Sequence, residues 1–187
     1  TPTKVPRTEI FPTVPISEYG RTKLEAEKSL RAAHADWGFR LAILRPCAIV
    51  GKYMTHGITK DLVDKLHTDN PLLEVLGTKE KQACKQFVHI ADVYDAIKFT
   101  IENRHKIPGR FTANIFPKDG PITVEEVARE VMYSIEIEKP IAFTQPTWKG
   151  DDLYMELRGY FQGRFSSKEA IFWAARGYNS WKYGESI

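Results

Sequence analysis

A helix followed closely by a short apolar run constrains the fold of this chain more than any other feature. The helix should begin near Ser17, a good N-cap, run to about His34 and stop at Gly38, and the segment FRLAILR follows at residues 39–45. A nearly continuous apolar run of this length is typical of a strand buried on both faces of a parallel sheet. The pattern therefore predicts an α/β fold.

The rest of the chain alternates in the same way. Further helices are expected at residues 58–67, 92–103, 123–134 and 167–176. Strands are expected at residues 72–76, 86–90, 110–115 and 140–143. Residues 1–16 contain four prolines and should form an extended loop. We further expect Asp92 to cap its helix, His89 to be a structural histidine on a strand, and Arg45 to satisfy buried partners at a strand end.

Composition and charge argue against several classes of protein. The 27 basic and 24 acidic residues are mixed along the chain, so no nucleic-acid partner is expected. The most apolar stretch, residues 41–50, is too short to span a bilayer. The five histidines include no pair at ligand spacing, which predicts no metal site. Cys47 and Cys84 do not form a disulfide pattern, and no signal-peptide core is visible, so we expect a cytoplasmic protein.

Three tyrosines precede a lysine by four residues: Tyr19/Lys23, Tyr94/Lys98 and Tyr178/Lys182. On a helix, both side chains of such a pair lie on one face. A nearby ammonium favours the phenolate, which can then accept a proton from a substrate hydroxyl. Since eight tyrosines in a chain of this length produce roughly one such pair by chance, the spacing alone decides nothing.

Tyr19 lies in the first turn of its helix, where the helix dipole also favours negative charge. Lys23 interrupts an apolar face that includes Ala26, Leu30 and Ala33, and a lysine facing inward needs a reason. In the alternative interpretation, Lys23 extends to solvent and Tyr19 packs against the next strand. The local features leave both interpretations open.

The other two pairs are better explained as structural. The helix that carries Tyr94 should bury Val93, Ile97 and Ile101 instead. Tyr178 follows Gly177 near the terminus, where helical geometry is doubtful. We therefore consider only Tyr19 and Lys23 as candidates for catalysis.

Several longer segments occur in a recognisable order. They are PISEYGRTKLEAEKSL (15–30), GFRLAILRPCAIVGKY (38–53), THG (55–57), EVLG (74–77), KQFVHIADVYDAI (85–97), TANIFPKDGPITVEEVA (112–128), WKGDD (148–152) and SSKEAI (166–171). Together they resemble the extended short-chain dehydrogenase/reductase family, within it the NAD-dependent epimerases and dehydratases, and in particular those similar to UDP-glucose 4-epimerase. The resemblance covers nearly the whole chain.

This resemblance implies roles for individual residues. Tyr19 would be the general acid/base, and Lys23 would assist it and bind the nicotinamide ribose of NAD. Pro46 and Cys47 would contact NAD, largely through backbone groups. The implied substrate is a nucleotide-diphosphate sugar, and the implied assembly is a homodimer.

Four further positions would face the substrate. Lys85 stands where relatives carry a cation that pairs with the diphosphate, although it could also be a solvated surface charge. Thr55 and His56 would lie near a helix N-terminus and a phosphate, although the segment could also be an ordinary loop. Ala48 occupies the position of an asparagine that often contacts substrate.

The resemblance implies a partial Rossmann-like parallel sheet with a small C-terminal substrate-binding lobe. Residues 1–54 would supply the catalytic helix and strand, and residues 55–187 the lobe together with returning Rossmann elements. The sequence contains neither GxGxxG nor GxxGxxG, and only 18 residues precede Tyr19, too few to include the usual catalytic Ser or Thr. We expect the chain alone to be inactive and to belong to a longer protein, or to complement a separate N-terminal portion.

Other departures keep further hypotheses open. Ala48 lacks an amide, GTKEKQACK at residues 77–85 replaces a Gly-Asp-Gly turn, and the stretch between Asp152 and Ser166 is short. The protein could be another extended short-chain dehydrogenase, such as a reductase or an L-threonine dehydrogenase-like enzyme. It could also be a degenerate relative that binds without catalysing a reaction.

Overall fold

The computed structural model describes residues 5–145 and 153–184, so the WKGDD motif at residues 148–152 lies outside the described residues. Within them the helices are α1 (Glu18–Trp37), α2 (Ile58–Leu66), α3 (Ile90–Glu102), α4 (Val124–Ile135) and α5 (Ser167–Tyr183). The strands are β1 (Leu41–Pro46), β2 (Ala48–Val50), β3 (Leu73–Leu76), β4 (Cys84–Lys85), β5 (Phe87–His89), β6 (Arg110–Phe116), β7 (Ile122–Thr123), β8 (Ile141–Gln145), β9 (Tyr154–Met155) and β10 (Phe161–Gln162).

Parallel pairing dominates the sheets. Strand β1 pairs in parallel with β6 from Leu41 opposite Arg110 to Pro46 opposite Ile115, and β10 joins the other edge of β6. The pairs β2–β5, β3–β8 and β4–β9 are also parallel, whereas β4 and β7 are antiparallel. The predicted α/β class is confirmed.

Capping residues confirm where α1 was predicted to start and stop, and where α4 was predicted to start. The Ser17 side chain accepts the Gly20 N–H at 3.1 Å, and Gly38 ends α1 in the left-handed conformation, with φ of 68°. Thr123 accepts the Glu126 N–H, and the Glu126 carboxylate accepts the Thr123 N–H in return. This reciprocal arrangement satisfies two backbone donors that the first turn of α4 would otherwise leave unpaired.

The predicted cap at Asp92 is wrong. Helix α3 begins two residues earlier, at Ile90, and its cap is His89, whose ring nitrogen Nδ1 accepts the Ala91 N–H at 3.2 Å. As predicted, His89 lies on a strand, where it is the last residue of β5. Asp92 is buried inside the helix, where its carboxylate accepts the N–H groups of Arg164 and Phe165 at 3.1 and 3.3 Å. It holds the loop that leads into α5 rather than the start of its own helix.

The predicted end of the last helix is also wrong. Helix α5 continues without a break to Tyr183, seven residues beyond the predicted end, so Tyr178 lies on a regular helix. The Tyr178 side chain is buried, and its hydroxyl donates to Asp64 of α2 at 3.0 Å. The tyrosine–lysine pair at this position therefore has a structural role.

Asp64 links α2 to the end of α5. Its carboxylate accepts hydrogen bonds from Lys60 at 2.6 Å, Lys182 at 2.8 Å, Tyr183 at 2.9 Å and Tyr178. Burial alone would raise the pKa of Asp64, but the hydrogen bonds from these lysines and tyrosines outweigh it and hold the pKa below its ordinary value. We call these five residues the Asp64 cluster.

The expected buried face of α3 is only partly confirmed. Val93 is buried, but Ile97 and Ile101 are 44% and 59% exposed. With Ile90 and Tyr94 they form an exposed apolar stripe along one flank of the helix. We refer to these four residues as the α3 stripe.

Two apolar clusters form the core. The larger one lies among α2, α4, α5, β3 and β5, and includes Leu62, Leu73, Val127 and Ile171. The smaller one packs α3 against the β1–β6 sheet and contains Cys47, Val88, Val93, Ala96 and Ile115. None of the described helices is long and apolar enough to cross a membrane.

A methyl group at Gly163 should disturb the loop held by Asp92. An added Cβ at this position would lie 2.4 Å from the Asp92 Oδ2 atom, far inside normal contact distance. We expect Gly163→Ala to lower the free energy of unfolding by about 1–3 kcal/mol, as overpacking commonly does. Urea unfolding measures the change. The matched control is Gly109→Ala, where no atom lies within 4 Å of the added Cβ; equal stability losses in both variants would contradict the prediction.

Candidate active site

Helix α1 brings Tyr19 and Lys23 together on one face. The Lys23 Nζ atom lies 5.3 Å from the centre of the Tyr19 ring, which agrees with the four-residue spacing. Tyr19 is 72% exposed. In the described part of the chain, no residue of α1 is buried. Of the two interpretations that the sequence left open, the described residues do not show the one in which this face points inward, since both side chains are open to solvent.

An ion pair and a hydrogen bond attach α1 to the sheet. Arg45, near the end of β1, donates its Nε–H to Glu27 of α1 at 2.7 Å, and Arg31 of α1 donates to the Thr112 hydroxyl at 2.9 Å. The hydrogen bond from Arg45 lowers the pKa of Glu27 against the opposing effect of burial. As predicted, Arg45 is paired at the strand end, but its partner Glu27 is half-buried rather than buried. The contact fixes the position of the helix that carries Tyr19.

Pro46 and Cys47 lie at the carboxyl end of β1. Pro46 has no N–H, and the Cys47 N–H donates to the Ile115 carbonyl at 3.0 Å within the sheet. Burial raises the pKa of the Cys47 thiol to about 12, so the thiol stays protonated and is a poor nucleophile at neutral pH. Neither residue therefore offers a free backbone N–H to a ligand at this strand end.

A cavity of about 610 Å³ lies between α2, α4 and strands β2, β3 and β5. Its volume is in the range of sites for small organic ligands. Three of the predicted substrate-binding residues line it: Ala48, His56 and Lys85. Thr55 does not line the cavity, although its hydroxyl lies 3.2 Å from the His56 ring. Tyr19, Lys23, Pro46 and Cys47 are not part of its wall.

The cavity wall is mainly apolar, with a few charged side chains. Besides Lys85, the charged residues are Lys65 and Asp61 of α2 and Glu74 of β3. Charges of both signs therefore face one space. The sequence gives no signal for Lys65, Asp61 or Glu74, because solvent-facing helix and edge-strand positions commonly carry such residues.

Two glycines shape the segments that reach the cavity. Gly57 precedes α2 with φ of 103°, a conformation that other residues rarely adopt. Gly77 has φ of 111°, and a Cβ there would lie 2.9 Å from the Lys81 carbonyl oxygen. The turn that replaces Gly-Asp-Gly closes through paired hydrogen bonds between Thr78 and Lys81 and leads into β4, which carries Lys85.

The described residues contain no group of three His, Cys, Asp or Glu side chains that could hold a metal ion. The site consists instead of two separate parts. One is the exposed phenol and ammonium of α1, and the other is the cavity lined by α2, β3 and β4.

Comparison with known proteins assigns the chain to a protein family. The family model for the NAD dependent epimerase/dehydratase family matches residues 1–115, which is more than half of the sequence. The chain belongs to this family. The match includes α1, β1 and α2, and therefore the Tyr19–Lys23 pair and the cavity wall except for the part that β7 and α4 supply.

Epimerases and dehydratases of this family are similar to the chain in sequence or in fold. A UDP-glucose 4-epimerase of Azospirillum brasilense is 33% identical over an alignment of 110 residues that covers 51% of this chain and 31% of that protein. A UDP-glucose 4-epimerase of Thermus thermophilus, in complex with NAD, superposes with a TM-score of 0.81 at 16% identity over 96% of this chain and 59% of that one.

A dTDP-glucose 4,6-dehydratase of Bacillus anthracis superposes with a TM-score of 0.78 at 15% identity, over 95% of this chain and 57% of that chain. At such low identities the two superpositions establish the fold alone. The chain spans less than two thirds of the length of each of these family members.

The stability of the protein should depend on pH through His89. Burial lowers the pKa of His89 in the folded protein; Asp92 opposes the shift and Arg164 adds to it. Below the unfolded value of about 6.5, the unfolded chain binds more protons at this residue than the folded one. The free energy of unfolding should therefore fall as the pH drops through 6.5 towards the folded pKa, and should be fully retained above 6.5.

Asparagine at position 89 can accept the Ala91 N–H without titrating. Urea unfolding at about pH 7.5 and about pH 5.5 should show a smaller stability loss for His89→Asn than for the unsubstituted protein. The other histidines contribute equally to both proteins, so the difference isolates His89. Identical losses in the two proteins would refute the assignment.

Proposed function

We propose that this chain is the C-terminal portion of a longer protein that catalyses NAD-dependent epimerisation, or dehydration, of a nucleotide-diphosphate sugar. The activity that we favour is that of a UDP-glucose 4-epimerase. The single observation that carries the proposal is the Tyr19–Lys23 pair on α1, with the ammonium 5.3 Å from the ring centre, in a chain of the epimerase/dehydratase family.

Tyr19 would act as the general base. Its phenolic oxygen would take the proton from a sugar hydroxyl as that carbon is oxidised, and would return a proton when the carbonyl is reduced again. Lys23 would stabilise the negative charge that develops on the phenol, because its ammonium lies on the same helix face. NAD supplies the hydride acceptor and donor when it is bound.

The described residues offer groups for one end of NAD. A phenol and an ammonium beside the end of β1 suit a nicotinamide ribose with its hydroxyl groups. In this hypothesis Tyr19, Lys23, Pro46 and Cys47 hold that end. The phosphate-binding glycine turn is absent from the sequence, so the rest of the cofactor site would come from another portion of the longer protein.

The cavity would bind the nucleotide part of the substrate. Its apolar wall suits a nucleobase, and Lys85 would pair with the diphosphate. His56, with Thr55 beside it, lies at the N-terminus of α2, where backbone N–H groups and the helix dipole favour an anion. Ala48 leaves room where an asparagine would otherwise project.

Three exposed surfaces support the idea of a longer protein. Strand β1 is an edge strand, since β6 is its one partner among the described strands. Helix α1 buries no residue, and the α3 stripe leaves four apolar side chains in solvent. Long apolar edge strands and apolar helix faces are normally covered. An N-terminal portion, in the same chain or as a separate one, would cover all three.

We further propose that the complete protein is a homodimer that acts in the cytoplasm and binds neither nucleic acid nor membranes. Two cysteines that form no disulfide are typical of a reducing compartment. The net charge of +3 gives no reason to expect a polyanion as partner.

Replacing Tyr19 by phenylalanine should abolish most of the activity of the longer protein. Loss of a general acid/base commonly lowers kcat by roughly 100- to 10,000-fold. The measurement is interconversion of UDP-glucose and UDP-galactose, with dTDP-glucose dehydration assayed in parallel to separate the two reactions. Tyr94→Phe is the matched control, because Tyr94 has the same spacing to a lysine but lies on the α3 stripe. Similar activity of both variants would contradict the role of Tyr19.

Replacing Lys85 by alanine should weaken UDP binding by about 10-fold, the effect of losing one hydrogen bond to a charged group. Isothermal titration calorimetry with UDP measures the change. Lys98→Ala is the control, because Lys98 is exposed on α3 and faces Glu102 rather than the cavity. Unchanged affinity of the Lys85 variant would place the diphosphate elsewhere.

A further inference from the structure

The first turn of α2 contains a buried hydroxyl that has no partner. Thr59 is 1% exposed, and its Oγ1 atom is the one buried side-chain polar atom without a hydrogen bond in the described part of the chain. Leaving a buried hydroxyl unpaired is unfavourable, and native proteins rarely do so. Thr59 also lines the cavity.

The other buried serine and threonine hydroxyls of the described residues are paired. Thr100 donates to the Ala96 carbonyl at 2.7 Å, and Ser134 donates to the Val131 carbonyl at 2.8 Å. The Ser167 hydroxyl accepts the N–H of Phe87 at 3.2 Å. The unpaired state of Thr59 is therefore particular to this position.

Its place in the helix explains why Thr59 cannot bond as Thr100 does. Thr100 uses the carbonyl four residues earlier, which belongs to the same helix. Helix α2 begins at Ile58, so the residue four positions before Thr59 is Thr55, in the loop outside the helix. A valine would fill the same volume without a hydroxyl. The hydroxyl is useful only if a polar group outside the helix meets it.

The surroundings of Thr59 favour an acceptor with negative charge. Gly57 provides no side-chain cap, and the first hydrogen bond of the helix runs from the Asp61 N–H to the Gly57 carbonyl at 3.0 Å. The N–H groups of Ile58, Thr59 and Lys60 therefore have no acceptor within the helix. Asp61 is the one carboxylate of this turn, and Lys60 lies 3.6 Å from it, which offsets its charge.

We propose that Thr59 is a ligand-binding residue of the cavity, whose hydroxyl donates a hydrogen bond to a phosphoryl oxygen of the bound nucleoside diphosphate. The inference rests on the proposed function, since it takes the cavity as the nucleotide site. It adds a side-chain donor that selects for the phosphate part of the ligand, and it explains why this hydroxyl has no partner within the protein.

The test is Thr59→Val with UDP as the probe, in the protein at its full length. The substitution removes an unpaired buried hydroxyl from the free protein, so the midpoint of thermal unfolding without ligand should stay the same or rise. It also removes a donor from the complex, so the Kd for UDP should increase about 10-fold. The variant would thus lose affinity without losing stability, a result that general damage to the fold does not produce.

Three comparisons sharpen the result. Thr59→Ser keeps the hydroxyl and should bind UDP within about 2-fold of the unsubstituted protein. Thr100→Val removes a buried hydroxyl that does not line the cavity, and should lower the unfolding midpoint while leaving the Kd for UDP unchanged. Uridine has no phosphate, so Thr59→Val should not alter its binding.

Unchanged UDP affinity in Thr59→Val, with tight binding by the unsubstituted protein, would overturn the role of Thr59 and leave the proposed function intact. An equal loss of uridine binding would show a contact to the nucleoside and overturn the phosphoryl assignment. If the unsubstituted protein does not bind UDP at all, both the role of Thr59 and the nucleotide site fail together.

Discussion

The parallel pairing of β1 with β6 is the constraint on which the rest of the structure depends. It sets the carboxyl end of β1, with Pro46 and Cys47, beside the end of β6, and it fixes Arg45 where it can hold Glu27 of α1. Because α1 buries no residue, this ion pair and the few contacts beside it determine where Tyr19 stands. The position of the Tyr19–Lys23 pair in the fold therefore depends on β1, whereas the geometry within the pair follows from its spacing on the helix.

The two parts of the candidate site differ in how much surrounding structure packs against them. The cavity is backed by the larger apolar cluster among α2, α4 and α5, and its wall is formed by elements that are packed on several sides. The phenol and ammonium of α1 have no such support and remain open to solvent. In the proposed arrangement the cavity keeps its shape through its own packing, whereas the Tyr19–Lys23 pair needs further structure to surround it.

The sequence predicted the regular elements better than their contacts. Runs such as residues 39–45 and caps such as Ser17 and Thr123 are local signals, so their elements were found close to their observed bounds. Strands of two residues, such as β4 and β10, leave no periodic pattern and were missed. Asp92 was misjudged because an acidic residue near a helix start resembles a cap, whereas its partners lie more than 70 residues away.

The same limit applies to the site. Spacing and family resemblance singled out Tyr19, Lys23 and Lys85, but an unpaired hydroxyl at Thr59 can be seen only when every neighbour is known. Tyr178 and Lys182 had the same spacing as Tyr19 and Lys23, and only their contact with Asp64 identifies them as structural. Local pattern reveals which residues could do chemistry, and tertiary contact decides which are free to do it.

The Asp64 cluster has a consequence for how the molecule comes together during synthesis. Two of its donors, Tyr178 and Tyr183, lie 114 and 119 residues after the carboxylate that they serve. Closing so long a stretch of chain is entropically costly, and translation delivers the far end last. Helix α2 must therefore wait, with its acidic side chain only partly satisfied, until α5 leaves the ribosome. The cavity that α2 lines then reaches its final shape only after α5 has been synthesised.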